Sequence, residues 1–474
     1  MTTPTGYRAP SKTGYLNLAA EFAAEAWFPG VPDVARRAAE ALAGSPSRDE
    51  LIALIRGDIS LLTLTTLELY NAESSAVEPF DGAPLEIIRR ADPATLATIL
   101  ERAKGHGMPC SDAIAPEQSS CLRHAIVSAS AAEVLAPAFD AERDTAYTCA
   151  LMRRLGTLLI AWNYPQVYRR ALSLVRSDTS LDGIISKIIG FSPLTLGLTV
   201  AQRRNVPPEI LRGMGDQTVY SRAKHGALAT GDRLRDLCTL GEGIAETFDP
   251  LTFPETVPRA AMIRATFEQR AGRACLARLQ ATLAANARIY LEITPPMVIL
   301  PPQLDPYRDG APTMPPASCA RNPFVVHCPS SLWDIFAAAY SKLGRGRSEA
   351  NTQAIFQSLA PSLGFKSGCI YIFDPLSELL KPRYTAGDRR PIDYRPVSPA
   401  EPRADPVGTV FAQPFAGGAL RDGGTITGTL GASRPVGVVS LTLGPELRGL
   451  SAAELELLFA ALRRTIEDCL DLPA

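Results

Sequence analysis

Along the first 290 residues, apolar positions recur every three or four residues. LIALIRGDISLLTLTTLELY and RHAIVSASAAEVLA both show this spacing, so each predicts a helix with one buried face. Helix entrances are marked by their own chemistry. Ser47 with Glu50 forms a capping box, and Asp92 before Pro93 sets a side-chain acceptor ahead of a proline in the first turn. From 256 to 293 the pattern MIRATFEQRAGRACLARLQATLAANARIYLEI predicts one long connector helix, with arginines at 264, 270, 273, 278 and 288 laced around an apolar seam.

Residues 294–329 then carry prolines at 295, 296, 301, 302, 306, 312, 315, 316, 323 and 329, each of which removes a backbone donor and favours extended geometry before it. This stretch predicts a semi-rigid linker. Beyond it the period changes. Helices start near Ser331 and Ser348, GCIYIFD and VGVVSLTLG read as strands, and Ser451 with Glu454 caps a last helix carrying Leu455, Leu458, Phe459, Leu462 and Ile466 on one stripe. Trp333, Phe336 and Tyr340 fall at helical spacing and read as core. The predicted architecture is multidomain: an all-α domain over 1–255, the connector helix, the linker, and an α+β domain over 330–474.

Composition agrees with more than one folded core. The chain has 474 residues, 46% apolar and 20% charged, against a soft expectation of roughly 150 residues per domain. With 48 basic and 49 acidic side chains there is no global field for a polyanion, so no nucleic-acid partner is expected. No apolar run approaches the roughly 18 residues of a membrane span, and charges at Arg8, Lys12, Glu21 and Glu25 break any leader-like core; a cytoplasmic protein without a membrane partner is the expectation. The nine cysteines (110, 121, 149, 238, 275, 319, 328, 369 and 469) include no CxxC pair, which predicts reduced, buried thiols. No GxSxG elbow occurs, and the glycine-rich FAGGALRDGGTITGTLGAS lacks a phosphate-loop pattern, so it reads as a hairpin or loop rim.

Five ordered segments carry a family resemblance. IRGDISLLTLTTLELYNAE, LRHAIVSASAAEVLA, AYTCALMRRLGTLLIAWNYPQVYRRAL, IIGFSPLTLGLTVAQRRNVPPEIL and HGALATGDRL together make residues 50–235 resemble the HDOD domains, bacterial signalling relatives of the HD metal-dependent phosphohydrolases. In the catalytic relatives the metal ligands are a His, a His-Asp doublet and a later Asp. The resemblance carries the first onto His124 and the last onto Asp232. The doublet falls on Arg153 and Arg154. A guanidinium stays protonated and has no lone pair for a cation, so these positions repel a metal instead of holding it. Residues 331–470 are similar to a GAF domain, which implies a small-molecule sensor or a homodimerisation module. Cys369 is followed by Ile370, not by the His of bilin-binding GAF domains, so the ligand is unassigned.

These readings imply a noncatalytic signal-transduction protein with a protein partner, no assigned catalytic or metal-binding residue and no cofactor. His124 is then expected as a core histidine held by a hydrogen bond, and Asp232 as a salt bridge or cap, with an Arg-Asp pair across the old pocket. Two alternatives stand beside this. One is an unconventional phosphohydrolase recruiting Asp144 or Asp216, since His106, His225 and His327 lie elsewhere in the pattern. The other is a nucleotide sensor, acting through the GAF-like pocket or through Arg153 and Arg154 gripping a phosphate with their bidentate forks.

Overall fold

The computed structural model describes residues 27, 30–44, 47–73, 83–104, 114–175, 179–218, 225–292, 298, 300–301, 304, 316–319, 321–344, 346–387, 394–400, 405–412, 419–422, 424–431, 435–450 and 452–472. The N-terminal region is helical: α1 (Pro32–Ala43), α2 (Arg48–Gly57), α3 (Ile59–Glu73), α4 (Pro84–Arg90), α5 (Pro93–Lys104), α6 (Pro116–Leu135), α7 (Arg143–Asn163), α8 (Pro165–Leu172), α9 (Leu181–Ile189), α10 (Pro193–Arg203), α11 (Pro208–Met214) and α12 (His225–Thr247). The two early caps form as expected. Ser47 accepts from the Glu50 amide at 3.2 Å, and Asp92 from the Thr95 amide at 3.0 Å.

Helix α7 runs through the middle of this region. It buries an almost unbroken series from Ala146 to Ala161 against α6, α10, α11 and α12. Asp58, just ahead of α3, ties distant parts together. Its buried carboxylate accepts from the amides of Val31, Ser60 and Leu61 and from the Tyr290 hydroxyl at 3.2 Å. Burial pushes its pKa up against those four donors.

The single helix expected over 256–293 is corrected to three pieces: a 3₁₀ turn (Pro254–Arg259), α13 (Ala260–Ala271) and α14 (Cys275–Glu292). Gly272, at φ 87°, makes the break, a backbone conformation that the unbroken apolar seam concealed. Nor is α14 a free connector. Leu279, Leu283, Ala287 and Tyr290 are buried in the same core as the preceding helices. Of the proline-rich stretch, most lies outside the described residues, as do Ser451, Cys110 and residues 1–26. Its described members belong to cores: Val298, Leu300 and Leu304 join the N-terminal one, and Cys319, Phe324, Val325 and Cys328 the C-terminal one.

The C-terminal region is α+β. Helices α15 (Trp333–Leu343), α16 (Glu349–Ser362), α17 (Pro406–Ala412) and α18 (Ala452–Cys469) accompany β1 (Phe365–Asp374), β2 (Leu379–Gly387), β3 (Leu420–Asp422), β4 (Thr425–Leu430) and β5 (Gly437–Leu443). The sheet is antiparallel throughout, in the order β2-β1-β5-β4-β3. Strand alternation sorts the side chains. Ile370, Val439 and Leu441 face a core built with Trp333, Phe336, Phe356 and Phe459, while Cys369, Tyr371 and Val438 face a smaller cluster with Leu380 and Val407. Ser348 caps α16 by accepting from the Asn351 amide at 3.1 Å. The eight described cysteines are buried and free. Among the described residues no single helix is long and apolar enough to cross a membrane.

Candidate functional site

The arginine doublet projects from the middle of α7 into a cavity of about 200 Å³. One turn along the helix, Gly156 lets the α7 backbone lie directly against α10: a Cβ there would sit 1.8 Å from the Pro193 carbonyl oxygen and 2.9 Å from the Gly197 nitrogen. This close crossing sets where Arg153 and Arg154 emerge. The opposing wall is α12, which contributes Glu242 and Glu246 one helical turn apart. Ser180 and Asp182 at the start of α9, with Phe253 and Glu255, complete the lining.

Glu242 holds both arginines. Its Oε2 accepts from Arg153 Nε at 2.8 Å, and its Oε1 lies 3.7 Å from Arg154 Nη1, with all three side chains at most 16% exposed. Arg153 also donates to the Met214 carbonyl at 3.4 Å. For Arg154, burial works against the charge, yet nearby Asp182 and Glu242 more than offset it and hold the guanidinium pKa above its ordinary value. The cavity therefore holds two guanidiniums among four carboxylates, Asp182, Glu242, Glu246 and Glu255. A phosphate entering it would meet that surplus of negative charge and would have to displace Glu242.

Burial pushes up the carboxyls of Asp182, Glu246 and Glu255. It does so for Asp182, which the Arg154 charge opposes, and for Glu246, which the Thr256 hydroxyl opposes by donating at 2.6 Å. Glu255 is raised to about 7, by burial first, opposed by a backbone hydrogen bond, with Glu246 and Asp182 adding repulsion and Arg259 countering it. An acid whose folded pKa is raised stabilises the fold below its unfolded pKa, and that stability is lost as pH rises through the folded value. The wild-type melting temperature should accordingly fall relative to Glu255→Gln between about pH 5 and pH 8. Parallel melting curves for the two proteins across that window would remove this account of Glu255.

His124 lies beside the cavity, screened from it by Phe253. The imidazole is 3% exposed and stacks on the Phe253 ring, centroids 4.5 Å apart. Neither ring nitrogen has a hydrogen-bond partner, which corrects the expectation of a hydrogen-bonded core histidine. Burial, then the charges of Arg154 and Arg123, keep its pKa well below the ordinary value, so the ring is neutral.

Asp232 is an ion-pair residue, but not with the doublet. It bridges Arg212 Nε at 2.8 Å and Arg235 Nη1 at 3.0 Å, and it does not line the cavity. The pair expected across the pocket is thus corrected: its acid is Glu242, ten residues further along α12. Sequence reasoning missed Glu242 because the family pattern directed attention to an Asp; the signal available was the i, i+4 glutamate pair in LGEGIAET, set among apolar and small residues. The recruits considered for a metal are engaged elsewhere. Asp144 pairs with Arg56 Nε at 3.0 Å, and Asp216 accepts from Gln202 at 2.7 Å and from the amide and hydroxyl of Thr218. His106 and the side chain of His225 lie outside the described residues, and His327 is buried near Asp249 and Arg264. Among the described residues no group of three or more His, Cys, Asp or Glu is arranged to hold a metal ion.

Comparison with known families matches residues 99–218 to the HDOD domain. Among solved structures, the chain is similar to the MmoQ response regulator of Methylococcus capsulatus strain Bath, at 16% identity over 54% of this chain and 98% of that one, with a TM-score of 0.39. It is also similar to a virulence factor from Campylobacter jejuni, at 12% identity over 58% of this chain and 100% of that one, TM-score 0.39. A candidate phosphohydrolase from Shewanella amazonensis SB2B matches at 15% identity over 58% and 94% of the two chains, TM-score 0.28. No curated protein matches the sequence.

Proposed function

Because the chain carries an HDOD domain over residues 99–218, we propose that it is a noncatalytic signal-transduction protein, working through contacts with a partner protein that are controlled by ligand or partner state. One observation carries the reading. At the two positions where catalytic HD relatives place a His-Asp doublet, this chain has Arg153 and Arg154, locked onto Glu242 inside a small cavity. Water activation by a hard divalent cation needs converging lone pairs, and guanidiniums offer none. The remaining ancestral positions do not compensate: His124 is stacked under Phe253 and Asp232 is paired with Arg212.

For the C-terminal domain we propose a GAF-like sensor role. What supports it is an antiparallel sheet with a large helix-covered core on one face and, on the other, a small cluster around Tyr371, Leu380 and Val407. A small ligand or a second copy of the chain is the proposed input.

Metal content of tag-free protein, purified without chelator and measured by inductively coupled plasma mass spectrometry after incubation with manganese, iron, zinc or magnesium, tests the noncatalytic reading. The expected result is far less than one equivalent bound, with no hydrolysis of phosphomonoester or phosphodiester substrates. Stoichiometric metal that His124→Ala releases, together with activity lost in that variant, would put the phosphohydrolase first.

A further inference from the structure

Between α12 and α13 the chain makes a short strap, residues 248–259, ending in the 3₁₀ turn Pro254–Arg259. Its two faces belong to different parts of the molecule. On one face, Phe253 and Glu255 line the arginine–carboxylate cavity, and Phe253 stacks on His124 of α6. On the other face, Leu251 and Val257 pack into the C-terminal core. The strap is pinned at its start. Asp249, 9% exposed, accepts from Ser120 Oγ and Arg123 Nη2 of α6, both at 2.7 Å, and burial is outweighed there by Arg123 and these hydrogen bonds, which lower its pKa. Further along, Thr256 donates to Glu246 of α12. The C-terminal part answers with His327, which is 6% exposed and hydrogen-bonds the Thr247 backbone immediately before the strap.

Pro254 and Pro258 each fix one backbone torsion, so the turn between them has little internal freedom. A stiff element with one face in each core cannot shift on one side alone. We propose that residues 248–259 are the coupling element of this protein, through which the state of the arginine–carboxylate cavity and the docking of the C-terminal domain bias one another. The proposal rests on the regulatory reading above and gives it a location. Coupling of this kind is reciprocal by thermodynamic necessity, so a perturbation on either face must be felt on the other.

Hydrogen–deuterium exchange by mass spectrometry on the full chain tests it. Phe253→Ala removes the cavity-side anchor and should raise exchange across residues 325–343 by about tenfold, a magnitude ordinary for coupled sites. Phe253→Leu, which keeps most of the apolar volume but gives up the stack on His124, should act in the same direction and less strongly. Leu251→Ala, on the opposite face, should raise exchange at residues 180–186, whose first members Ser180 and Asp182 line the same cavity as the strap. Leu96→Ala, a fully buried truncation in α5, serves as the control for general loosening and should do neither. The coupling is refuted if both Phe253 variants leave 325–343 exchanging as in wild type, if Leu251→Ala leaves 180–186 unchanged, or if Leu96→Ala reproduces both effects. Bound metal or hydrolytic activity would overturn the noncatalytic reading, whereas the exchange differences between variants and wild type, all measured on metal-free protein, test the coupling, so the two failures are distinguishable.

Discussion

Gly156→Ala is expected to destabilise the helical domain by about 3 kcal/mol or more, the upper end of what an overpacked core position costs. The added carbon would lie 1.8 Å from the Pro193 carbonyl oxygen, 2.7 Å from its carbonyl carbon and 2.9 Å from the Gly197 nitrogen. All three are backbone atoms, so no side chain can rotate away. Relief requires α7 and α10 to separate, which strips contact from the buried leucines on both sides of the crossing, Leu155 and Leu196 among them. The domain transition should move to markedly lower urea concentration in far-ultraviolet circular dichroism. Gly449→Ala is the matched control, because nothing lies within 4 Å of the added carbon there. Its effect should stay within about 0.5 kcal/mol. If Gly156→Ala unfolds with the wild-type midpoint, the close crossing that positions the doublet does not exist in solution.

Glu242→Ala should be nearly as damaging, by a different mechanism. It leaves Arg153 and Arg154, at 16% and 8% side-chain exposure, without the carboxylate that both of them face. Breaking one side of a buried ion pair costs about 3–5 kcal/mol, and the lower figure applies here because Asp182 still acts on Arg154. Replacing the whole group, as Arg153→Met, Arg154→Met and Glu242→Met together with Asp182→Asn for the acid that also faces Arg154, should recover most of the lost stability, since a buried ionic group and an uncharged one of similar volume are often equivalent. The contrast between the single and the quadruple variant is the diagnostic. A loss below about 1 kcal/mol in Glu242→Ala would place the arginines with ordinary solvated pairs and empty the cavity of its electrostatic character.

Much of the scaffold was readable before any coordinates. The capping residues Ser47 and Asp92 are local signals, and local signals survive folding because they depend on neighbours three or four residues away, whereas LIALIRGDISLLTLTTLELY, read as one helix with one buried face, is divided at Asp58 into α2 and α3, and α3 is buried nearly all round. Arg153 and Arg154 were singled out by the resemblance, and the structure places both on one cavity. Partners were not legible. Pairing Asp232 with Arg212 and Glu242 with the doublet depends on how α7, α11 and α12 are rotated about their axes, and a rotation of one residue moves a side chain by about 100° around a helix. The break at Gly272 was hidden for a related reason. The apolar seam continues across it because α13 and α14 both lie against the N-terminal core, so periodicity alone could not separate one helix from two.

The sequence by itself determined the helical N-terminal region and the α+β C-terminal one, the two adjacent guanidiniums of Arg153 and Arg154, and the scarcity of histidine, four in the chain. These follow from residue identity and short-range periodicity. Only the tertiary structure decided that Glu242 pairs with both arginines of the doublet, that His124 is stacked without a hydrogen bond, and that residues 248–259 face both cores at once. The physical reason is that ion pairing, desolvation and shared packing are set by distances between residues far apart in the chain, such as the 89 positions separating Arg153 from Glu242, and no local pattern encodes such a distance.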